Sequence, residues 1–323
     1  MAYLIGTDEA GYGPNLGPLL VSATVWKVPD RTCDLHDELR NVVSKTPPPA
    51  SKQSRPSITI ADSKLLYKPK GGLGGLELPL FATLPVGGQS NPPRTWRDCW
   101  RVLTADHCEE IDRLLWYRDF DCPLPIDSDP EKTTDARECF LRETRSRSIE
   151  LQTVRSVAVF PSRFNQLVNE YDSKGTALSN VTLDLVANLI QELPDEPIDV
   201  VCDKHGGRNS YAGFLQPRFS DRLVRVHRES RAESSYEVGT ADQPITISFR
   251  SKGESFLPSA LASIASKYLR ELAMKAFNDF WTREVPNLKS TAGYPQDAKR
   301  FRLDVESHRR KLNITEDVFW RGR

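Results

Sequence analysis

Nothing in these 323 residues comes near the roughly 18 consecutive apolar residues of a helical membrane span, so no membrane-spanning helix is expected. An excess of one charge is missing too, since 44 Lys and Arg balance 44 Asp and Glu. A protein that coats nucleic acid by bulk charge is far more basic, so any polyanionic partner must be held by local patches. The six cysteines, Cys33, Cys99, Cys108, Cys122, Cys139 and Cys202, include no C-x-x-C pair, and no histidine completes a zinc-ligand spacing with them. They read as reduced, packed thiols rather than metal ligands. No internal repeat is visible. Met1 to Glu9 meets charge before a signal-peptide core forms. The expectation is a cytoplasmic monomer.

What is present is material for a core. Hydrophobic residues make up 38% of the chain, enough to rule out a wholly disordered one. Tyr3 to Thr7 reads as an apolar strand ending at Asp8-Glu9, followed by the Gly/Pro-rich turn from Ala10 to Pro18. Leu19 to Trp26 reads as a second strand, and the short connection predicts antiparallel pairing. Thr46 to Ser57 is a Pro/Ser linker. Ser57 to Ala61 reads as a strand, with Asp62-Ser63 capping a short helix from Lys64.

Residues 73–150 differ in character. Glycines at 71, 72, 74 and 75 precede them, the loops Gly87–Thr95 and Asp121–Asp135 interrupt them, and a helix is expected over Asp106–Tyr117. We read this stretch as an insertion outside the main sheet, its tryptophans Trp96, Trp100 and Trp116 forming a satellite cluster or contacting the core edge. Its role is opaque from sequence. Strands resume at Val154–Phe160, Ile198–Cys202, Leu223–Val226 and Ile245–Phe249. Helical periodicity marks Leu178–Leu193 and Ser259–Phe280. The pattern predicts an α/β fold with a mixed sheet and helices on its faces.

Two of these strands end in acids, Asp8-Glu9 and Asp203, and ligands gather at the carboxyl ends of strands in open α/β sheets. Glu271 lies on the long helix, seven residues after Ile264, and can point toward the sheet. Carboxylates brought together without a basic partner repel one another, and hard divalent cations such as Mg²⁺ or Mn²⁺ resolve that conflict. A pair of such ions suits displacement at a phosphodiester. Each acid also has a plainer reading, as a turn residue or, for Glu271, as the i,i+4 partner of Lys267. The glycine turn reads G-x-G-x-x-x-G, which fits neither a dinucleotide fingerprint nor a P-loop.

Together these residues resemble a known family. Gly6-Thr7-Asp8-Glu9-Ala10-Gly11-Tyr12-Gly13-Pro14 with Gly17-Pro18 is similar to the type 2 ribonuclease H opening G-x-D-E-A-G-R-G-P and G-P. Asp62-Ser63-Lys64-Leu65 resembles that family's D-S-K-K-L, and Asp203 falls at its strand-end aspartate. Lys252-Gly253-Glu254, then Ala262 to Lys267 through Arg270-Glu271, resembles K-[GA]-D and A-S-I-x-A-K-x-x-R-D. Gly293-Tyr294 resembles a late G-Y. The match covers roughly residues 1–72 and 151–300.

The resemblance implies a ribonuclease H-like fold, a central mixed sheet flanked by helices. Residues 1–72 and 151–323 would form a discontinuous core, and 73–150 an inserted subdomain. It implies hydrolysis of RNA in RNA–DNA hybrids or ribonucleotide-containing duplexes, leaving a 5′-phosphate and a 3′-hydroxyl. Asp8, Glu9, Asp203 and Glu271 would be the catalytic ligands of Mg²⁺ or Mn²⁺, two ions in all. Gly11-Tyr12-Gly13 would read the 2′-hydroxyl, Lys64 and Lys252 would meet phosphates, and Tyr294 would pack on the sugar. Two departures stand out: Glu271 replaces Asp, and Tyr12 replaces Arg. They keep open a relative that binds nucleic acid without turnover, or a nuclease of altered substrate. The stretch from Lys299 to Arg323 carries eight basic against four acidic residues, and is a candidate electrostatic grip.

Overall fold

The computed structural model describes residues 1–47, 57–68, 71–84, 92–104, 109–240 and 243–322. Parts of the expected linker 46–57, of the loop 87–95 and of the helix from Asp106 lie outside the described residues. Strands run β1 (Ala2–Ala10), β2 (Leu19–Val28), β3 (Val43–Ser44), β4 (Ile58–Thr59), β5 (Glu150–Val159), β6 (Ile198–Asp203), β7 (Val224–Glu229), β8 (Glu233–Gly239) and β9 (Pro244–Arg250). Helices are α1 (Leu35–Glu38), α2 (Ser63–Leu66), α3 (Gly74–Thr83), α4 (Trp96–Leu103), α5 (Glu110–Arg113), α6 (Leu115–Arg118) and α7 (Pro130–Ser146). They continue with α8 (Pro161–Tyr171), α9 (Lys174–Gln191), α10 (Ala212–Leu215), α11 (Leu257–Glu284), α12 (Pro295–Lys311) and α13 (Glu316–Phe319).

Seven strands form one sheet in the order β5-β2-β1-β6-β9-β8-β7. β1 is antiparallel to β2, as the short turn predicts, and parallel to β6, which is parallel to β9. The outer pairs are antiparallel. The fold is therefore α/β, a mixed central sheet with helices on both faces. Period-two alternation sorts the sides. Tyr3 and Ile5 of β1 join a cluster with Leu178, Leu185 and Val186 of α9, while Ala2 and Leu4 join one with Leu261, Ile264 and Leu272 of α11. At the far edge, β7 is exposed from Arg225 onward, and its register with β8 shifts between Val226 and Arg228.

Helix α11 is the centre of its layer, 28 residues long and buried on nearly every side. It begins against Gly6, where a Cβ would stand 2.1 Å from the Ser259 nitrogen, so only glycine admits the helix that close. Thr24 donates to the Pro258 carbonyl (2.8 Å) and Ser259 to that of Val201 (3.1 Å), fixing the helix start across three strands.

Several sequence expectations need correction. β1 continues through Asp8 and Glu9, which are paired strand residues and not the start of a turn. The strand expected over Ser57–Ala61 is only Ile58–Thr59, paired with β3 outside the main sheet. β8 and helices α3, α4, α7, α8 and α12 were not anticipated.

Residues 73–149 give the main sheet no strand among those described, but their tryptophans are not a satellite. Trp96, Trp100 and Trp116 lie in the same continuous core as Trp26 and Phe277. Trp116 packs edge-on against Phe277 at 5.3 Å, and Trp100 stacks with Phe160 at 6.1 Å. Glu77 is fully buried, accepting from the Tyr268 hydroxyl (2.9 Å) and from the N–H groups of Asp127 and Ser128 (both 2.8 Å). A helix apolar on every side needs cover on the face away from the sheet, and this segment supplies it.

Candidate active site

The parallel register of β1 and β6 ends on Thr7 opposite Cys202, so the next residues, Asp8 and Asp203, sit side by side at the carboxyl edge. Cross-strand partners share a face. Asp8 is opposite Ser22 and Glu9 opposite Val21. Ser266 of α11 bonds the Ser22 hydroxyl (2.8 Å) and the Asp8 carbonyl (3.1 Å), so Ser22 and Asp8 belong to the α11 side. Val21 belongs to the cluster beneath α9, which puts Glu9 on that side. Asp8 and Glu9 therefore straddle β1. Burial pushes the Glu9 carboxyl up to about 8, with repulsion from Asp8 and Asp203 adding to it and Lys64 opposing it.

Asp203 is roofed by the loop before α11. The Gly253 N–H lies 3.4 Å from its Oδ1, and a Cβ on Gly253 would come 3.3 Å from its Cα. Lys252, just before, is exposed and left-handed at φ 71°.

Glu271 is oriented differently. Its Oε2 accepts from the Tyr67 hydroxyl at 2.7 Å, and its Oε1 is bonded by Lys267 one turn earlier. Among the described residues, no three His, Cys, Asp or Glu side chains are placed as a metal-binding group. Asp8, Glu9 and Asp203 thus interact without meeting at one point, and Glu271 is engaged with Lys267 and Tyr67. By its chemistry the donor set still fits a hard divalent cation: three carboxylates crowd one edge, and the oxygens are of the type that Mg²⁺ and Mn²⁺ prefer.

The glycine turn is rigidly built beside the acids. Gly11 needs its φ of +91°, since a Cβ would lie 2.6 Å from the Pro18 carbonyl oxygen. Arg270, nearly fully buried, donates to the carbonyls of Pro18 (2.6 Å), Leu16 (3.2 Å) and Ala292 (3.3 Å). The Asn15 N–H donates to the Gly293 carbonyl at 2.8 Å, bringing the exposed Tyr294 alongside the turn. Arg321, also buried, donates its backbone N–H to the Asn15 carbonyl (2.9 Å) and its guanidinium to that of Pro14. Gly13 is open to solvent, with nothing near its absent Cβ. Tyr12 is partly buried, and Lys64 is exposed.

Sequence reasoning missed the residues that hold others in place. Tyr67 carried no signal, and Arg270 and Arg321 look like ordinary surface cations until their burial is seen. Lys204 and His205 are also tied into the fold. His205 is buried, its N–H donating to the Tyr211 hydroxyl (3.0 Å) and its Nδ1 bonded to Ser179 (3.0 Å), and burial drives its pKa down to about 3. Lys204 Nζ donates to the Ser230 carbonyl at 2.7 Å. The basic C-terminal stretch is largely engaged internally: Arg300 with Asp297 and Asp304, Arg302 with Glu316, Arg309 with Glu306 and Glu316, Arg310 with Glu306.

No family model matches the chain, and neither does any curated protein. Among the described residues no helix is long and apolar enough to cross a membrane. Solved structures give likenesses. RNase HII of Archaeoglobus fulgidus, from its complex with PCNA, is 12% identical over 98% of this chain and 92% of that one, with a TM-score of 0.42. Ribonuclease H2 of Pyrococcus horikoshii OT3 is 13% identical over 98% and 92%, with a TM-score of 0.41. Bst-RNase HIII, in complex with Mn²⁺, is 13% identical over 99% and 66%, with a TM-score of 0.38. The chain is thus similar, along nearly its whole length, to solved ribonucleases HII and HIII.

Proposed function

We propose that this protein is a metal-dependent endonuclease that hydrolyses RNA in RNA–DNA hybrids or at ribonucleotides within a duplex. The observation that carries this reading is the placement of Asp8, Glu9 and Asp203 at the adjoining ends of β1 and β6, where burial, with repulsion from Asp8 and Asp203 added, raises Glu9 to about 8. A partly buried anionic cluster weakens the fold and repels a polyanion, so its use is to hold cations. Asp8, Glu9 and Asp203 would hold Mg²⁺ or Mn²⁺, and Glu271 would join them on leaving Tyr67 and Lys267. A divalent ion bound there supplies charge stabilisation to the phosphoryl oxygens.

Everything else falls to the chain. The Gly11-Tyr12-Gly13 turn, held by Arg270 and Arg321, presents backbone groups to a 2′-hydroxyl, the feature that tells RNA from DNA. Gly13 leaves room for the sugar, and exposed Tyr294 packs beside it. Lys64 and Lys252 meet phosphates. In this reading 1–72 and 151–323 form the catalytic core, and 73–150 is an addition built into its hydrophobic interior.

A second reading, binding without turnover, is favoured by the engagement of Glu271. The test is incubation with a hybrid, a duplex bearing one ribonucleotide and plain DNA, each with Mg²⁺ and with Mn²⁺. Cleavage of the first two alone, abolished by Asp203→Asn, is expected. Binding of the hybrid with no cleavage under either ion would establish the second reading.

A further inference from the structure

On the α9 side of the acidic edge lies a cavity of about 430 Å³ whose wall includes Tyr12, Lys174, Gly175, His205, Gly206 and Arg208, and no carboxylate. Tyr12 reaches across it, its hydroxyl 3.4 Å from where a Gly206 Cβ would stand. Lys174 opens α9, an 18-residue helix, and so stands at the helix's positive end, its ammonium 5.9 Å from the centre of the Phe164 ring. The Arg208 guanidinium stacks over the Phe214 ring at 4.4 Å and donates from Nη2 to Thr176 (2.9 Å), while its buried Nε has no hydrogen-bond partner. Partial burial, with Arg321 nearby, lowers the Lys174 pKa. His205 is bonded to Ser179 and adds no charge.

Two cations, a phenol and a helix start around one hollow suit a tetrahedral oxyanion. The position is informative as well. Tyr12 stands in the glycine turn where the motif pattern carries arginine, and Glu9 and, from another loop, Arg208 both come within electrostatic reach of the Tyr12 hydroxyl. We propose that this cavity is a phosphate subsite in which Arg208 and Lys174 grip one backbone phosphate of the nucleic acid, supplying from outside the turn the cation that position 12 lacks. The identity of the strand rests on the nuclease reading above, whereas the phosphate chemistry does not.

Binding measured by anisotropy in EDTA, with labelled hybrid and with DNA duplex across a salt series, tests this without any cleavage. Arg208→Gln and Lys174→Gln should each weaken binding several-fold and flatten the log–log salt slope, together by about 0.9, the share of the one phosphate they grip. Adding Tyr12→Arg to Arg208→Gln should restore the slope. Because Arg208 also packs on Phe214, Lys174→Gln and the charge-keeping Arg208→Lys serve if Arg208→Gln fails to fold; the first should flatten the slope and the second retain it. Unchanged slopes in folded variants, with no inorganic phosphate bound by the parent protein, overturn the subsite. Unchanged slopes with inorganic phosphate bound by the parent protein and not by the variants overturn the backbone assignment in favour of a free phosphate. Flattened slopes in a protein that cleaves nothing uphold the subsite and defeat only the nuclease reading.

Discussion

The Tyr67 hydroxyl donates to Glu271 Oε2 at 2.7 Å while Lys267 closes on Oε1. Glu271 thus has both carboxylate oxygens engaged by side chains of its own chain. Glu271→Gln should therefore lower Mn²⁺ affinity only several-fold, whereas Asp203→Asn should lower it by at least about tenfold, some 1.4 kcal/mol. Titration calorimetry on the two variants separates them, and equal losses would place Glu271 fully in the cation site.

Removing a charge from the crowded edge should also stabilise the metal-free protein. Asp203→Asn relieves the repulsion on Glu9 and keeps an acceptor for the Gly253 N–H. A rise of about 2 °C in melting temperature in EDTA is expected for a chain of this size. A lower melting temperature would mean that Asp203 is needed for packing.

Trp116 reads in sequence as part of a helix in an insertion outside the main sheet and is core in the fold, packed against Phe277 and Trp281 of α11. Trp116→Ala should cost about 3–5 kcal/mol, read from the urea midpoint at unchanged slope. Excision of 73–149 should leave insoluble chain rather than a smaller folded domain. A soluble, cooperatively melting remnant would show the segment to be separable after all.

His36 is buried with its Nδ1 unpartnered, and burial together with Lys45 holds its pKa down at about 4. Unfolding restores the ordinary value near 6.5. As pH falls from about 6.5 to about 4, the unfolded chain takes up a proton that the folded one refuses, and stability declines across that window by up to about 3 kcal/mol. Above it the folded state keeps its full advantage. Comparing His36→Gln with the parent protein at pH 7.5 and 5, both by urea unfolding, isolates this share. Identical pH dependence in the two would show that His36 does not titrate on unfolding.

Much of the sheet was legible because its signals are local. The apolar runs mixed with small residues in Leu19–Trp26, the helical spacing of Leu178–Ile190 and the short connection after β1 each carry their own evidence. The acids at the ends of β1 and β6 were visible for the same reason, since strand ends can be read from a run of apolar residues. What was hidden depends on distance in the sequence. Glu271 could be placed on a helix, but the tie to Tyr67 spans 204 positions. Arg208 and Tyr12 meet only because β1 and β6 are neighbours. The tryptophans of 73–150 looked isolated because the surface they cover, on α11, lies more than a hundred residues further on.

At β7 the sheet has its outer edge, contacted by α10 and exposed from Arg225 onward, and an edge strand offers its free backbone groups to any other chain that passes. Here that row is interrupted. The register slips at His227, and Arg225 and Arg228 project from the exposed stretch on either side of it. A second molecule trying to lengthen the sheet would meet a kinked ladder and like charges facing like. The same irregularity that spoils the strand as a piece of regular structure keeps the sheet from propagating from one molecule to the next.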